Sequence, residues 1–372
     1  MRKLTICGFI IGLLLLTGFP NGLRGQTTPW QHKLLLEGKV HYGFIIPHHE
    51  NLVHLASQHL TMFEADVVQA TNGDRYWEQQ HHYPLKGISI LYSDLGGAPH
   101  LGKVVACLPY IDFNLTRRHR INLYFRFGAG IGYLTRKFDR IDNYKNIAIG
   151  SHFNAALQMM YEMRWRATQR LSINAGFSLT HFSNGAIKTP NLGINLATIS
   201  AGASYKFTAD AVPMRQFIVS EVLNRKWEFS VMGMIGFSEL YAAYGPKFMA
   251  YMVSATALKP VGKRGKRLIG AGLDVFYDEA NIETLIRLGT PVEKDFMVVR
   301  PGINVTHKLT FSHLSILMQV GGYIYTRYKG DGFLYDRIAL QYRFKKHYNL
   351  HLGLKTHLFT ADMVEYGIGY TF

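Results

Sequence analysis

Apolar residues alternate with polar or small ones along much of this chain, and the chemistry of the two faces constrains the fold more than any other feature. In Ile121–Tyr133 one set of positions reads Ile121, Leu123, Phe125, Phe127, Ala129, Ile131 and Tyr133. The other set reads Asn122, Tyr124, Arg126, Gly128, Gly130 and Gly132. The same alternation marks Ile338–Phe344, Tyr348–Lys355 and the terminal Glu365–Phe372. A period of two puts the two sets on opposite faces of a β-strand. A soluble sandwich also alternates, with its apolar faces packed inward. Here the polar faces carry Arg, Lys and His opposite strongly aromatic partners, which suits the inverse arrangement. A membrane barrel turns its apolar face to lipid and its polar face to the lumen, and closure leaves no unpaired edge in hydrocarbon. The expected fold is therefore all-β, an antiparallel transmembrane β-barrel with an even strand number of about 12–16. Sixteen strand candidates run from 34–46 to 364–372, among them 87–95, 149–164, 171–183, 195–207 and 297–307. The final aromatic strand, ending on Phe372, looks like the C-terminal signature of outer-membrane barrels.

Export is implied at the other end. Met1-Arg2-Lys3 is cationic, Leu4–Phe19 is apolar, and Pro20–Gly25 is a small and polar stretch. That order predicts a signal peptide over 1–25, cleaved before Gln26. Cys107 is then the only cysteine left, so the mature chain has no internal disulfide. No later stretch is apolar enough, for long enough, to cross a bilayer as a helix. The organisation expected is barrel strands in 26–207, an irregular connection over 208–226, and further barrel strands in 227–372. The formal charge of +16 suits an anionic partner. Export excludes nucleic acid and leaves an anionic membrane surface or a phosphorylated glycolipid; a basic pore lining is the blander reading.

Chemistry concentrates where the candidate strand 171–183 ends. His181 and Ser183 are two apart and share a face with Ile173, Phe177 and Leu179, the lipid-facing side. An imidazole and a hydroxyl facing lipid need partners, because unsatisfied polar groups there are expensive. A serine activated by a neighbouring imidazole at the acyl-chain boundary would reach an ester that never leaves the membrane. Asn184 and Gly185 follow with N–H groups suited to an oxyanion, and Lys188 lies in the same loop to meet a phosphate. Asn195 falls on the apolar parity of the next strand, beside Ala197 and Ile199.

His181-Phe182-Ser183-Asn184-Gly185, then Lys188, Pro190-Asn191 and Gly193, resembles the active-site signature of the lipid A 3-O-deacylase family of outer-membrane acyloxyacyl hydrolases. The resemblance implies a cell outer-membrane barrel that removes an ester-linked acyl chain from lipopolysaccharide, with no cofactor. Its partners would be lipid A and outer-membrane lipid, with a homodimer left open. It implies His181 as base, Ser183 as nucleophile and Asn184 as an oxyanion contributor. Family members carry a glutamate where Asn195 stands; an asparagine can orient an imidazole by hydrogen bonding but supplies no countercharge. Glu162 on the preceding strand is the alternative carboxylate. The resemblance spans at most about Lys33–Phe207 and does not explain the C-terminal half. A phospholipase, or a non-catalytic barrel acting as pore or lipid scaffold, are the competing readings.

Other features carry less. Gly128, Gly130 and Gly132 share one strand face and read as a crowded lumen rather than a nucleotide loop. The pairs His48-His49 and His81-His82 do not make a metal site alone, since neighbours on an extended strand point apart. Lys263–Arg267 reads as a solvated basic turn.

Overall fold

The computed structural model describes residues 34–56, 58–97, 99–116, 120–208, 226–240, 245–262, 265–358 and 360–372. The expected signal peptide over 1–25, nearly all of the 208–226 connection, and Lys263 and Arg264 of the basic turn lie outside these residues.

Sixteen strands are present among the described residues. The first eight are β1 (Leu34–Ile46), β2 (His59–Ala70), β3 (Leu85–Ser93), β4 (Val104–Asn114), β5 (Ile121–Leu134), β6 (Phe153–Arg166), β7 (Leu171–Ser183) and β8 (Ile194–Lys206). The remainder are β9 (Glu228–Glu239), β10 (Lys247–Val261), β11 (Arg267–Asp278), β12 (Arg300–Phe311), β13 (Leu314–Tyr323), β14 (Leu334–Phe344), β15 (Tyr348–His357) and β16 (Thr360–Thr371). Two short helices interrupt the pattern, α1 (Tyr76–Gln80) and α2 (Glu279–Arg287). Asp278 caps α2 by accepting the Ala280 N–H at 2.9 Å.

The sixteen strands close as two antiparallel rings of eight, not as one larger ring. β8 returns to β1, with Asn195 opposite Ile46 and Lys206 opposite Leu35. β16 likewise returns to β9. A ring of eight has a bore that side chains can fill, so each closes around its own core. By contacts the chain divides into a first unit through Asn184 plus Pro190–Phe217, and a second of Gly185–Thr189 plus Ile218–Phe372.

The inverted polarity is plain in β7. Ile173, Phe177 and Leu179 are exposed, whereas Asn174, Ser178 and Thr180 are buried. β1 repeats it, with Val40, Tyr42 and Phe44 outside and Glu37, Lys39 and His41 inside. A band of exposed aliphatic and aromatic side chains around a polar interior belongs in hydrocarbon, where water would make it unfavourable. No described helix is long and apolar enough to cross a membrane.

Ion pairs fill the middle of the first bore. Arg126 reaches Glu64 at 2.6 Å and Asp112 at 2.8 Å, with its guanidinium 3.5 Å from the centre of the Tyr110 ring. Arg164 reaches Asp112 at 2.6 Å and Glu37 at 2.8 Å, and Lys39 bonds Glu37 and Glu64 at 2.9 Å each. Towards the β7–β8 loop the interior turns apolar, through Leu60, Leu91, Leu108, Leu134, Phe182 and Ile194. The second bore holds Met232, Met234, Met252 and Met363 against Phe276, Tyr323 and Tyr335. Arg337 adds ion pairs to Asp274 at 3.3 Å and to Glu365.

Candidate active site

The site grows from strand parity. Phe182 points inward into the apolar plug, so His181 and Ser183 on either side of it point outward. Gly132 makes room for that anchor: a Cβ there would lie 2.8 Å from the Phe182 ring. On β8, Ile194 enters the same plug and Asn195 turns outward. His181 and Asn195 are direct cross-strand partners, as are Phe182 and Ile194. Side chains of such a pair share one face and meet without help from a loop. His181 Nδ1 donates to Asn195 Oδ1 at 2.6 Å.

The connecting loop wraps back over the strand end. Gly185 and Ala186 both adopt φ of +63°, and Gly193 adopts φ of +81°. The Gly193 N–H donates to Ala148 O at 2.9 Å, seating the loop on the β5–β6 connection. Here the glycine is required twice over. Its backbone is left-handed, and a Cβ would stand 2.8 Å from His181 Cε1 and 3.5 Å from Nε2. The imidazole lies against the bare face of Gly193.

Asn191 closes the loop onto the nucleophile candidate. Its Nδ2 donates to Ser183 Oγ at 2.9 Å, while its Oδ1 accepts the Asn184 N–H at 3.0 Å. Asn184 Nδ2 donates to Ser151 Oγ at 3.0 Å, and Ser151 Oγ donates to Phe153 O at 2.8 Å. On the far side of Asn195, its Nδ2 donates to His48 Nδ1 at 2.8 Å, and His48 Nε2 donates to Leu192 O at 2.7 Å.

His181 and Asn195 thus meet in the first unit, which also holds Ser183 and Asn184, joined through Asn191. Gly185 and Lys188 group with the second, where Lys188 Nζ bonds Glu239 Oε1 at 3.0 Å. The alternative carboxylate is corrected: Glu162 lies opposite Gly176 and points into the bore, ion-paired to Arg164 and 3.6 Å from Lys39. An inward group on β6 cannot reach an outward imidazole, and the side chain hydrogen-bonded to His181 Nδ1 is Asn195. The roles of Asn191, His48 and Gly193 escaped sequence reasoning. Asn191 and Gly193 belong to the motif, but no periodicity relates a loop residue to a strand face. His48 lies 147 positions from Asn195, and only the β1–β8 closure brings them together. Among the described residues, no group of three or more His, Cys, Asp or Glu is placed to hold a metal ion.

Residues 63–204 match the family described as lipid A 3-O-deacylase (PagL), a stretch that contains the whole motif. Residues 226–372 match the acyloxyacyl hydrolase C-terminal domain, which accounts for the half that the motif left unexplained. Similar solved structures include the following three. Neisserial surface protein A shares 10% identity over 46% of this chain and 96% of its own, with a TM-score of 0.34. The outer membrane enzyme PagL shares 15% identity over 45% and 97%, with a TM-score of 0.31. A mutant Rh. blastica porin shares 9% over 91% and 99%, with a TM-score of 0.18. No curated protein matches the chain.

Proposed function

Since the chain belongs to the lipid A 3-O-deacylase family, and so is an outer-membrane hydrolase of lipid A, we propose that Ser183 is its nucleophile and His181 its general base. The observation that carries this reading is the outward face shared by Ser183, His181 and Asn195 on the apolar exterior of a closed barrel. The ester bond of a lipid lies near the membrane interface, and that face meets it there.

The connections at the site's end of the first barrel are long, spanning 47–58, 94–103, 135–152 and 184–193. Two of those at the opposite end are short, 115–120 and 167–170. Outer-membrane barrels carry long loops outside and short turns in the periplasm, which supports placing the site at the outer leaflet, where lipopolysaccharide resides.

The Asn195 bond leaves His181 Nε2 as the basic ring nitrogen. Ser183 Oγ attacks the acyl carbonyl as Nε2 takes its proton, and the carbonyl π pair moves to oxygen. The oxyanion is held by donors beside Oγ: the Asn191 amide, already 2.9 Å from it, the Gly185 N–H, and the Asn184 N–H once it leaves Asn191 Oδ1. The intermediate collapses, the sugar oxygen departs with the proton from His181, and the acyl group stays on Ser183. Water, deprotonated by His181, then releases the fatty acid. Lys188 exchanges Glu239 for a lipid A phosphate.

The filled bore argues against a pore, since ion pairs and the apolar plug occupy the path that ions would take. A phospholipase would use the same pair, and the family match favours lipid A.

A serine-reactive fluorophosphonate tests the assignment. The expected adduct is on the peptide holding Ser183, and it is lost in His181→Ala. Labelling at another serine, or undiminished labelling of His181→Ala, contradicts it.

A further inference from the structure

An asparagine beside a catalytic imidazole poses a problem that a carboxylate does not. A carboxylate accepts through either oxygen, so the imidazole nitrogen facing it carries the proton whichever way the group is rotated. An amide has one accepting and one donating end. Rotated by half a turn, Asn195 would offer its NH2 to His181 Nδ1, and the ring would then carry its proton on Nε2. That tautomer cannot deprotonate Ser183.

We propose that His48 is the positioning residue that fixes Asn195 in the productive orientation, and through it the tautomer of His181. The inference rests on the Ser183–His181 reading given above. Its starting point is the Leu192 carbonyl, which can only accept. His48 Nε2, 2.7 Å from that oxygen, must therefore carry a proton. In a neutral ring Nδ1 is then an acceptor, and it meets Asn195 Nδ2 at 2.8 Å. With the amide's NH2 committed to His48, Oδ1 faces His181 at 2.6 Å and can only accept from Nδ1. The proton pattern is thus set in one direction, from a backbone carbonyl through His48 and Asn195 to the base. Flipping the amide would bring Oδ1 against the His48 lone pair and lose that bond, while NH2 against His181 would force the ring's proton onto Nε2.

The relay joins separate parts of the first unit. His48 follows β1, Asn195 begins β8, and Leu192 belongs to the β7–β8 loop. The β1–β8 pairing that closes the ring, with Ile46 opposite Asn195, brings His48 to this position. Ring closure and the tautomer of the base are thereby linked. The His49 ring lies beside that of His48, with centroids 4.9 Å apart and the planes tilted by 58°.

The test is a mutant cycle on the full chain in outer-membrane vesicles, with lipopolysaccharide as substrate. His48→Phe keeps an aromatic ring but removes the acceptor. It is expected to lower kcat about tenfold, the worth of roughly one hydrogen bond, with KM within about twofold. Asn195→Asp cannot donate to His181 in any rotation, so in that background the same His48→Phe change is expected to lower kcat less than about twofold. Heat-dependent gel mobility reports that each variant is folded. If His48→Phe leaves kcat unchanged in the native background, the inference is overturned. It is equally overturned if the loss is as large with Asn195→Asp, since His48 would then act on the loop rather than through the amide. Ser183→Ala separates the two readings. Hydrolysis lost in Ser183→Ala but indifferent to His48 removes this inference alone, whereas hydrolysis retained in Ser183→Ala removes the nucleophile assignment and this inference with it.

Discussion

Gly193 shows how closely the residue-level geometry is set. Its bare Cα borders the imidazole, and alanine there would bring a methyl carbon to within 2.8 Å of His181 Cε1. The φ of +81° adds backbone strain of about 1 kcal/mol or more for any side chain. Gly193→Ala is expected to displace the ring by a fraction of an ångström. Its kcat should fall by roughly a hundredfold while the barrel stays folded, as read by fatty-acid release beside heat-dependent gel mobility. A variant of native rate would show that the ring tolerates a neighbour and that Gly193 serves only the turn. Much of this site was legible in the sequence, because His181, Ser183 and Asn195 are strand residues and parity alone assigns their face. Asn191 and His48 were not, since the first acts from a loop and the second depends on the closing strand pair.

At the scale of elements, alternation located the strands well because a two-sided environment imposes it on every residue. β1 and β7 begin and end where their candidates do, at 34–46 and 171–183, and β5, β14 and β15 contain their alternating runs. The misplacements have a common physical cause. A strand was expected over 149–164, but β6 starts at Phe153, because Ala148 and Ile149 are apolar in order to fill the plug under the loops. Leu95 ended an expected strand for a similar reason; it is buried in the plug with φ of +53°. The helix α2 follows its Asp278 cap in a connection that periodicity of two does not describe.

The bore of the first barrel yields a prediction at this same scale. Arg126 is fully buried and bonds Glu64 and Asp66 of β2 and Asp112 of β4. Arg126→Met would keep bulk but leave those carboxylates short of a countercharge. Such a loss inside a protein costs about 3–5 kcal/mol. Urea unfolding in lipid vesicles, followed by tryptophan fluorescence, measures it, and a change below about 1 kcal/mol would mean that water or neighbouring cations compensate.

For the whole molecule, the decisive feature is that sixteen strands close twice. The sequence bounds the strand number at about 12–16 and offers sixteen candidates, but it does not give their closure. Alternation fixes which face of a strand meets lipid and is silent on which strand is its neighbour. The pairings β1–β8 and β9–β16 leave no strand shared between the rings. Residues 34–208, exported behind a signal peptide, are therefore expected to insert as a heat-modifiable barrel without 226–372. Failure to insert would show that the second ring is needed to form the first. With both bores filled by side chains, the protein is also expected to give no steady single-channel conductance in planar bilayers. Stable current steps would revive the pore reading.

The central claim is tested most directly by mass spectrometry of lipid A from cells expressing the native protein beside cells expressing Ser183→Ala. The account predicts that lipid A loses the mass of one ester-linked acyl chain with the native protein, and that Ser183→Ala reduces this loss by at least about a thousandfold. Lipid A unchanged by the native protein, or trimmed equally by Ser183→Ala, would contradict it.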